Sequence, residues 1–382
     1  MDGTSSVSLV PKRTPLHPWH VDHGARMTDF GGWSMPLMYS SIVEEHRATR
    51  TAAGLFDISH MGRFRFDGPG SAAFLDSLVT RNIAALPRGR VGYALVTNPR
   101  GGILDDVLVY HLADATGGAY HLLVVNAGNR EKLAAWIDGH LPPRATVTFH
   151  DASADWGMIA VQGPRALEIV QPLVDENLAA LAYYEAAEAR IAGGAGIVSR
   201  TGYTGEDGCE LIVGAAAVER LWQAIVEQGS PLGLSPAGLG SRDTLRLEAG
   251  MPLYGHELTE EVDPLEAGLA WAVDLDKGHF IGREAIEKSK NDSPRRRRVG
   301  LMTTGKRVPR ENCAILVDGR SIGRITSGTF SPTLERPIAM GYIEPRFGSF
   351  ATIVDVDIRG RTEPAEIVKL PFYRRQSKGR SL

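Results

Sequence analysis

Cysteine is nearly absent: two residues in 382, Cys209 and Cys313, far apart and without metal-binding spacing. That excludes a disulfide framework and fits a reducing compartment. No apolar run approaches the roughly 20 residues a membrane span requires, and residues 1–10 lack the apolar core of a secretory signal. Neither sign of charge dominates, with a net charge of −3, so no global field points to nucleic acid or an anionic membrane. There is no Walker loop, no G-x-S-x-G elbow and no strand–GxGxxG–helix fingerprint; Gly193-Gly194-Ala195-Gly196 runs into strand-like residues. These absences exclude a hydride-transfer enzyme and a nucleotide hydrolase.

What is present is turn chemistry. With 43 glycines and 22 prolines, many short strands are expected. The length implies two or three domains. Residues 1–15 read as loose, and 41–53 as an amphipathic helix stopped by Gly54. Residues 62–150 read as an α+β unit, with strands at 92–97 and 103–111 joined by the turn Asn98-Pro99-Arg100-Gly101-Gly102. A second α+β unit follows, with strands at 156–162, 191–199 and 210–213 and helices at 164–174, 215–228 and 241–249. Residues 288–298, ending in four arginines, read as a solvated linker. Beyond it, six short strands between 299 and 369 suggest a small β-barrel.

Four segments carry candidate chemistry. The stretch Thr201-Gly202-Tyr203-Thr204-Gly205-Glu206-Asp207-Gly208-Cys209-Glu210 combines glycines that let a flat ligand approach, a tyrosine that offers a face and a hydroxyl, and carboxylates. A carboxylate at Glu210 can accept two parallel N–H bonds of the kind a 2-amino-4-oxo-pyrimidine edge donates. Asp105-Asp106 sits within a strand, where alternation sends one side chain inward, although read alone the pair fits two solvated carboxylates. Arg242 opens a helix, and holds either an anionic or oxo group or a surface salt bridge to Asp243 or Glu248. Tyr254-Gly255-His256-Glu257 fits a pocket wall and lacks zinc spacing.

In order along the chain come Asp57-Ile58-Ser59-His60-Met61, Gly101-Gly102-Ile103-Leu104-Asp105-Asp106, Val161-Gln162-Gly163-Pro164, the 201–210 stretch, the run 237–250 containing Gly240-Ser241-Arg242-Asp243, Leu253-Tyr254-Gly255, and Thr326-Ser327-Gly328-Thr329-Phe330-Ser331-Pro332. Together they resemble the aminomethyltransferase (T-protein) family of the glycine cleavage system, over about residues 14–372. The resemblance implies an α+β cloverleaf: two α+β domains with antiparallel sheets and a small C-terminal β-barrel around a central folate channel. It divides the chain into a discontinuous domain (14–61 and 151–287), a second α+β domain (62–150) and a barrel (299–372).

The resemblance implies transfer of the methylene carbon of H-protein aminomethyl-lipoyllysine to tetrahydrofolate, with release of ammonia and no metal. Asp106 corresponds to the catalytic carboxylate that orients the folate amines and stabilises positive charge on the way, leaving Asp105 on the other strand face. Glu210 and Tyr203 correspond to pterin recognition and Arg242 to a folate-holding arginine. Tyr93, Tyr110, Met61 and Asn126 fall at pocket positions. The implied partners are the lipoylated H-protein and, functionally, the P- and L-proteins, with no nucleic acid and no membrane. The extension before Thr14 lacks transit-peptide character, so the bacterial cytoplasm is expected. A folate-dependent demethylase of a sulfur or amine compound, or a folate-binding protein without transfer, would share the fold. The arginines at 295–298 are expected to offer a basic surface to an acidic carrier.

Overall fold

The computed structural model describes residues 10–114, 116–142, 146–292 and 296–375. Two antiparallel-rich sheets and a closed barrel make up the body. The first sheet has the order Ala186–Ile191, Gly194–Ser199, Gly208–Gly214, Trp156–Gln162, Ala53–Asp57, Leu234–Pro236, with only the last pair parallel. Its strands are apolar on both faces because both are covered. Ile159, Val161, Leu211 and Val213 meet Leu221, Trp222 and Ile225 of the helix Val218–Gly229 on one side. Met158, Ala160 and Ile212 on the other side meet Tyr110, Leu122 and Val124 of the second sheet.

That second sheet runs Val91–Thr97, Ile103–Ala113, Ala119–Val125, Gly62–Asp67, Thr148–Asp151. Its outer face is sealed by Phe74, Leu75 and Leu78 of the helix Ser71–Leu78 and by Leu133 and Ile137 of the helix Arg130–Asp138, packed on Phe64 and Phe66. Helical spacing on one side and period-two alternation on the other bring these faces together. A small sheet of Lys12–Arg13, Trp33–Met38 and Arg26–Phe30 lies N-terminal to both. The C-terminal strands Arg297–Thr303, Arg336–Ile343, Arg320–Ser331, Ala314–Val317, Ile353–Asp357 and Thr362–Val368 close into the barrel the sequence suggested.

Several local expectations change. Residues 12–13 pair with Trp33 and Ser34 instead of being loose, and residues 1–9 lie outside the described part. The first amphipathic helix is Ile42–Thr51, capped by Ser41 Oγ accepting from the Glu44 N–H at 3.2 Å. Gly54 does not stop it. The chain turns at Ala52 into the buried strand Ala53–Asp57, and Gly54 is required by packing, because a Cβ there would meet Thr49 Oγ1 at 2.2 Å. The strand expected at 191–199 is a hairpin turning at Ala192-Gly193, both with positive φ. The helix expected at 164–174 shortens to Ala166–Val170, because Pro172 opens a separate 3₁₀ turn, Gln171–Leu173.

The expected linker is largely structured. The helix Arg283–Asn291 fills its first part, and a barrel strand begins at Arg297. Arg296 binds Glu266 at 3.2 Å and the Glu261 carbonyl at 2.8 Å. Arg298 turns to the Gly250 carbonyl, and Arg297 stays exposed. Arg295 lies outside the described residues.

Candidate active site

Between the two sheets, under the 201–210 loop and beside the helix Leu239–Glu248, lies a cavity of about 260 Å³. Apolar groups (Ile58, Met61, Val107, Leu108, Val124, Met158) make most of its wall. Into this wall project the polar groups Tyr93, Asp106, Asn126, Tyr203, Glu210 and Arg242.

Asp105 and Asp106 occupy the strand Ile103–Ala113 at the place where its neighbour Ala119–Val125 ends. The ladder stops there, and Asn126 takes its place. Its Nδ2 donates to Asp106 Oδ1 and to Asp105 Oδ1, each at 2.8 Å. Tyr93, on the neighbouring strand, donates its hydroxyl to Asp106 Oδ2 at 3.1 Å. Burial raises the Asp106 carboxyl above its ordinary range, against these bonds. Asp105 is fully buried, so the solvated reading of the pair is overturned.

Glu210 stands on Gly208–Gly214 and faces the cavity, with one oxygen accepting from Thr201 Oγ1. Burial raises its carboxyl, opposed by that bond and by Arg242. Gly202 makes the loop's close approach: a Cβ there would meet Gln162 Oε1 at 1.9 Å. Tyr203 donates its hydroxyl to the Pro252 carbonyl at 2.5 Å, so it presents its ring and not its hydroxyl. The Arg242 guanidinium lies 4.9 Å from that ring's centroid. Arg242 makes neither of the salt bridges considered for it. Asp243 pairs with Arg246 at 2.8 Å, and Glu248 with Arg50 at 2.8 Å. Its buried Nη1 has no hydrogen-bond partner among the described residues.

Tyr110 does not line the cavity. Its hydroxyl meets Ser199 Oγ at 3.3 Å, and Ser199 meets Thr201 at 2.7 Å, so it stands behind Glu210. The 254–257 segment is likewise displaced. Met251, Pro252 and Leu253 form the wall, while Glu257 pairs with the buried Arg246 at 2.8 Å and Tyr254 accepts from Lys132 at 2.8 Å.

A family model described as the GCVT N-terminal domain matches residues 16–277, and one described as the glycine cleavage T-protein C-terminal barrel domain matches residues 296–374. The chain belongs to the glycine cleavage T-protein family. It is 47% identical to an aminomethyltransferase of Moorella thermoacetica, covering 96% of this chain and 99% of that one. It is 44% identical to an aminomethyltransferase of a Nostoc species, covering 96% and 97%. The crystal structure of the glycine cleavage system aminomethyltransferase T from Bartonella henselae superposes with a TM-score of 0.88 at 32% identity, covering 96% of this chain and 98% of that one.

Three wall residues of this T-protein family member escaped sequence reasoning. His60 lies in a motif already singled out, yet nothing in its spacing says that it reaches the cavity. Burial holds its imidazole down to about 3, so it is neutral there. Trp271, 61% exposed, stacks on Tyr93 at 5.1 Å and 27°, and Phe30 is also partly exposed, so both mark the rim. An isolated aromatic at a strand end or in a short 3₁₀ turn carries no pattern that would reveal such a role.

Proposed function

We propose that the cavity transfers the methylene carbon of an H-protein-bound aminomethyl-lipoyllysine to tetrahydrofolate, giving 5,10-methylenetetrahydrofolate, ammonia and the reduced lipoyl arm. This is the aminomethyltransferase step of the glycine cleavage system. The observation that carries the reading is one apolar cavity holding Asp106, the buried carboxylate Glu210 and an unpartnered Arg242 nitrogen.

Glu210 accepts the two N–H donors of the pterin 2-amino edge, and such a charge-assisted pair relieves the cost of burying that carboxylate. Arg242 Nη1 supplies the donor for an oxo group, and Tyr203 its ring face. A volume of about 260 Å³ suits the bicyclic head and not the whole molecule. The tail therefore leaves past Trp271 and Phe30. Asp106, fixed by Asn126 and Tyr93, orients the folate amines and stabilises positive charge developing on the carbon in transit. Protons balance: the two lost from N5 and N10 leave on the lipoyl sulfur and on ammonia. The apolar wall excludes water that would otherwise capture the carbon.

The lipoylated H-protein is the proposed donor, with the P- and L-proteins linked through it. The test is formation of methylenetetrahydrofolate from tetrahydrofolate and aminomethyl-loaded H-protein, with ammonia followed in parallel. Stoichiometric appearance of both is expected. Folate binding without turnover would contradict the reading and favour a demethylase.

A further inference from the structure

Asp105 does not line the cavity, yet it is fully buried and all its bonds lead to the turn that carries Asn126. Its Oδ2 accepts the Asn126 backbone N–H at 3.0 Å. Its Oδ1 accepts Asn126 Nδ2 at 2.8 Å and Asn129 Nδ2 at 2.6 Å. The same Asn126 Nδ2 reaches Asp106 Oδ1 at 2.8 Å and the Asp106 carbonyl at 3.2 Å. Three N–H donors are an expensive set to assemble around a residue that merely fills a strand position, because each must be pre-ordered.

We infer that Asp105 is a positioning residue acting through Asn126: fixed by three N–H donors, it holds that amide between two carboxyls and leaves Asp106 as the member of the pair that takes up a proton. A proton on either Asp105 oxygen would face an N–H donor. Asp106 Oδ2 instead faces the Tyr93 hydroxyl, which can reverse its bond and accept. Two adjacent carboxyls in a buried site resist carrying two charges, so both are raised and the pair takes up its first proton above the ordinary carboxylate range. The other titratable groups facing it are Tyr93, Tyr203 and Tyr254, and behind Tyr254 the Lys132 ammonium, itself 3.0 Å from Glu260. The ionised Asp105 thus strengthens Asp106 as a proton acceptor, and its geometry aims that carboxyl at the cavity.

Asp105→Asn turns an amide toward N–H donors, frees Asn126 and removes the like charge. The expected result is a fall in kcat of about 10- to 100-fold, a smaller change in KM for tetrahydrofolate, and an acid limb of the kcat–pH profile displaced to lower pH. The double variant with Asn126→Ala should be no slower than the slower single variant, as for residues that act in series. Should Asp105→Asn fail to fold, Asn129→Ala, which removes one donor only, is expected to lower kcat in the same direction. An unmoved acid limb, additive losses in the double variant, or an Asn129→Ala enzyme with unchanged kcat would each overturn the inference. It rests on the transfer reading, and the two fail separately. A wild type without turnover defeats that reading, while an active wild type with an unaltered Asp105→Asn profile defeats this inference alone.

Discussion

The Arg242 guanidinium lies 4.9 Å from the centre of the Tyr203 ring, and its buried Nη1 has no hydrogen-bond partner among the described residues. Burial lowers its proton affinity, while Glu210 and Tyr203 oppose the shift. A cation kept dry without a full set of acceptors is a state that a ligand's oxygen relieves. Arg242→Met should raise KM or Kd for tetrahydrofolate by about 10- to 100-fold, the worth of a charge-assisted bond, with kcat less affected. Binding titration and saturation kinetics would check it, and an unchanged Kd would remove Arg242 from the folate site.

Glu210 offers the complementary group. Glu210→Gln keeps the size but replaces two acceptors with one acceptor and a donor, which then faces the pterin donors. Weakening of tetrahydrofolate binding by at least about tenfold is expected, measured by calorimetric titration. A folate analogue lacking the 2-amino group should lose less affinity on this substitution than tetrahydrofolate does; equal losses would show that Glu210 reads another edge.

Tyr110 tests the boundary of the site. Its hydroxyl contacts Ser199 at a long 3.3 Å and also interacts with Thr201, while Glu210 keeps its own bond to Thr201 without it. Tyr110→Phe should therefore leave kcat/KM within about threefold of wild type. A larger loss in steady-state kinetics would place its hydroxyl in the chemistry.

Much of this was legible in the sequence, and the limits have physical causes. The strand 156–162 was read with the bounds the structure shows because its apolar run ends at clear turn residues. The barrel's strands were found for the same reason, although their ends moved. Residues 191–199 were misread because Ala192-Gly193 turns without any of the usual polar turn residues. At the site, Glu210 and Tyr203 stand out by residue type, whereas Asp106 and Arg242 are assigned only through the family resemblance, each having an ordinary surface reading of its own. His60 and Trp271 reach the cavity only through tertiary packing, which no local pattern encodes. Strand alternation placed Asp105 and Asp106 on opposite faces, but could not foresee that Asn126, at a strand's end, would bind both.

The barrel is joined to the first sheet's domain by a buried ionic cluster. Arg50 donates to Glu248 at 2.8 Å, to Glu206 at 2.9 Å and to the Thr204 carbonyl at 2.8 Å, and Glu248 also binds Thr333 at 2.8 Å and Ser331. Burial pushes the Glu248 carboxyl up, but bonds from His46 and Ser331 and the Arg50 charge outweigh it and hold it down to about 2 from 4.5. A depressed carboxylate stabilises the fold above its unfolded value, and that stability is lost as pH falls through the folded one. The cluster's contribution, about 3 kcal/mol, should disappear between about pH 4.5 and 2. Denaturant titrations across that window should show wild type losing stability and Glu248→Gln, already weaker at pH 7, losing less. Parallel curves would contradict the assignment.

On the proposed function, Asp106 performs the transfer while Glu210 and Arg242 hold the folate. The most direct measurement is single-turnover formation of methylenetetrahydrofolate by Asp106→Asn, with tetrahydrofolate affinity measured on the same preparation. Affinity within about threefold of wild type and a rate lower by at least about 100-fold are expected. An Asp106→Asn enzyme that transfers at close to the wild-type rate would contradict that role for Asp106.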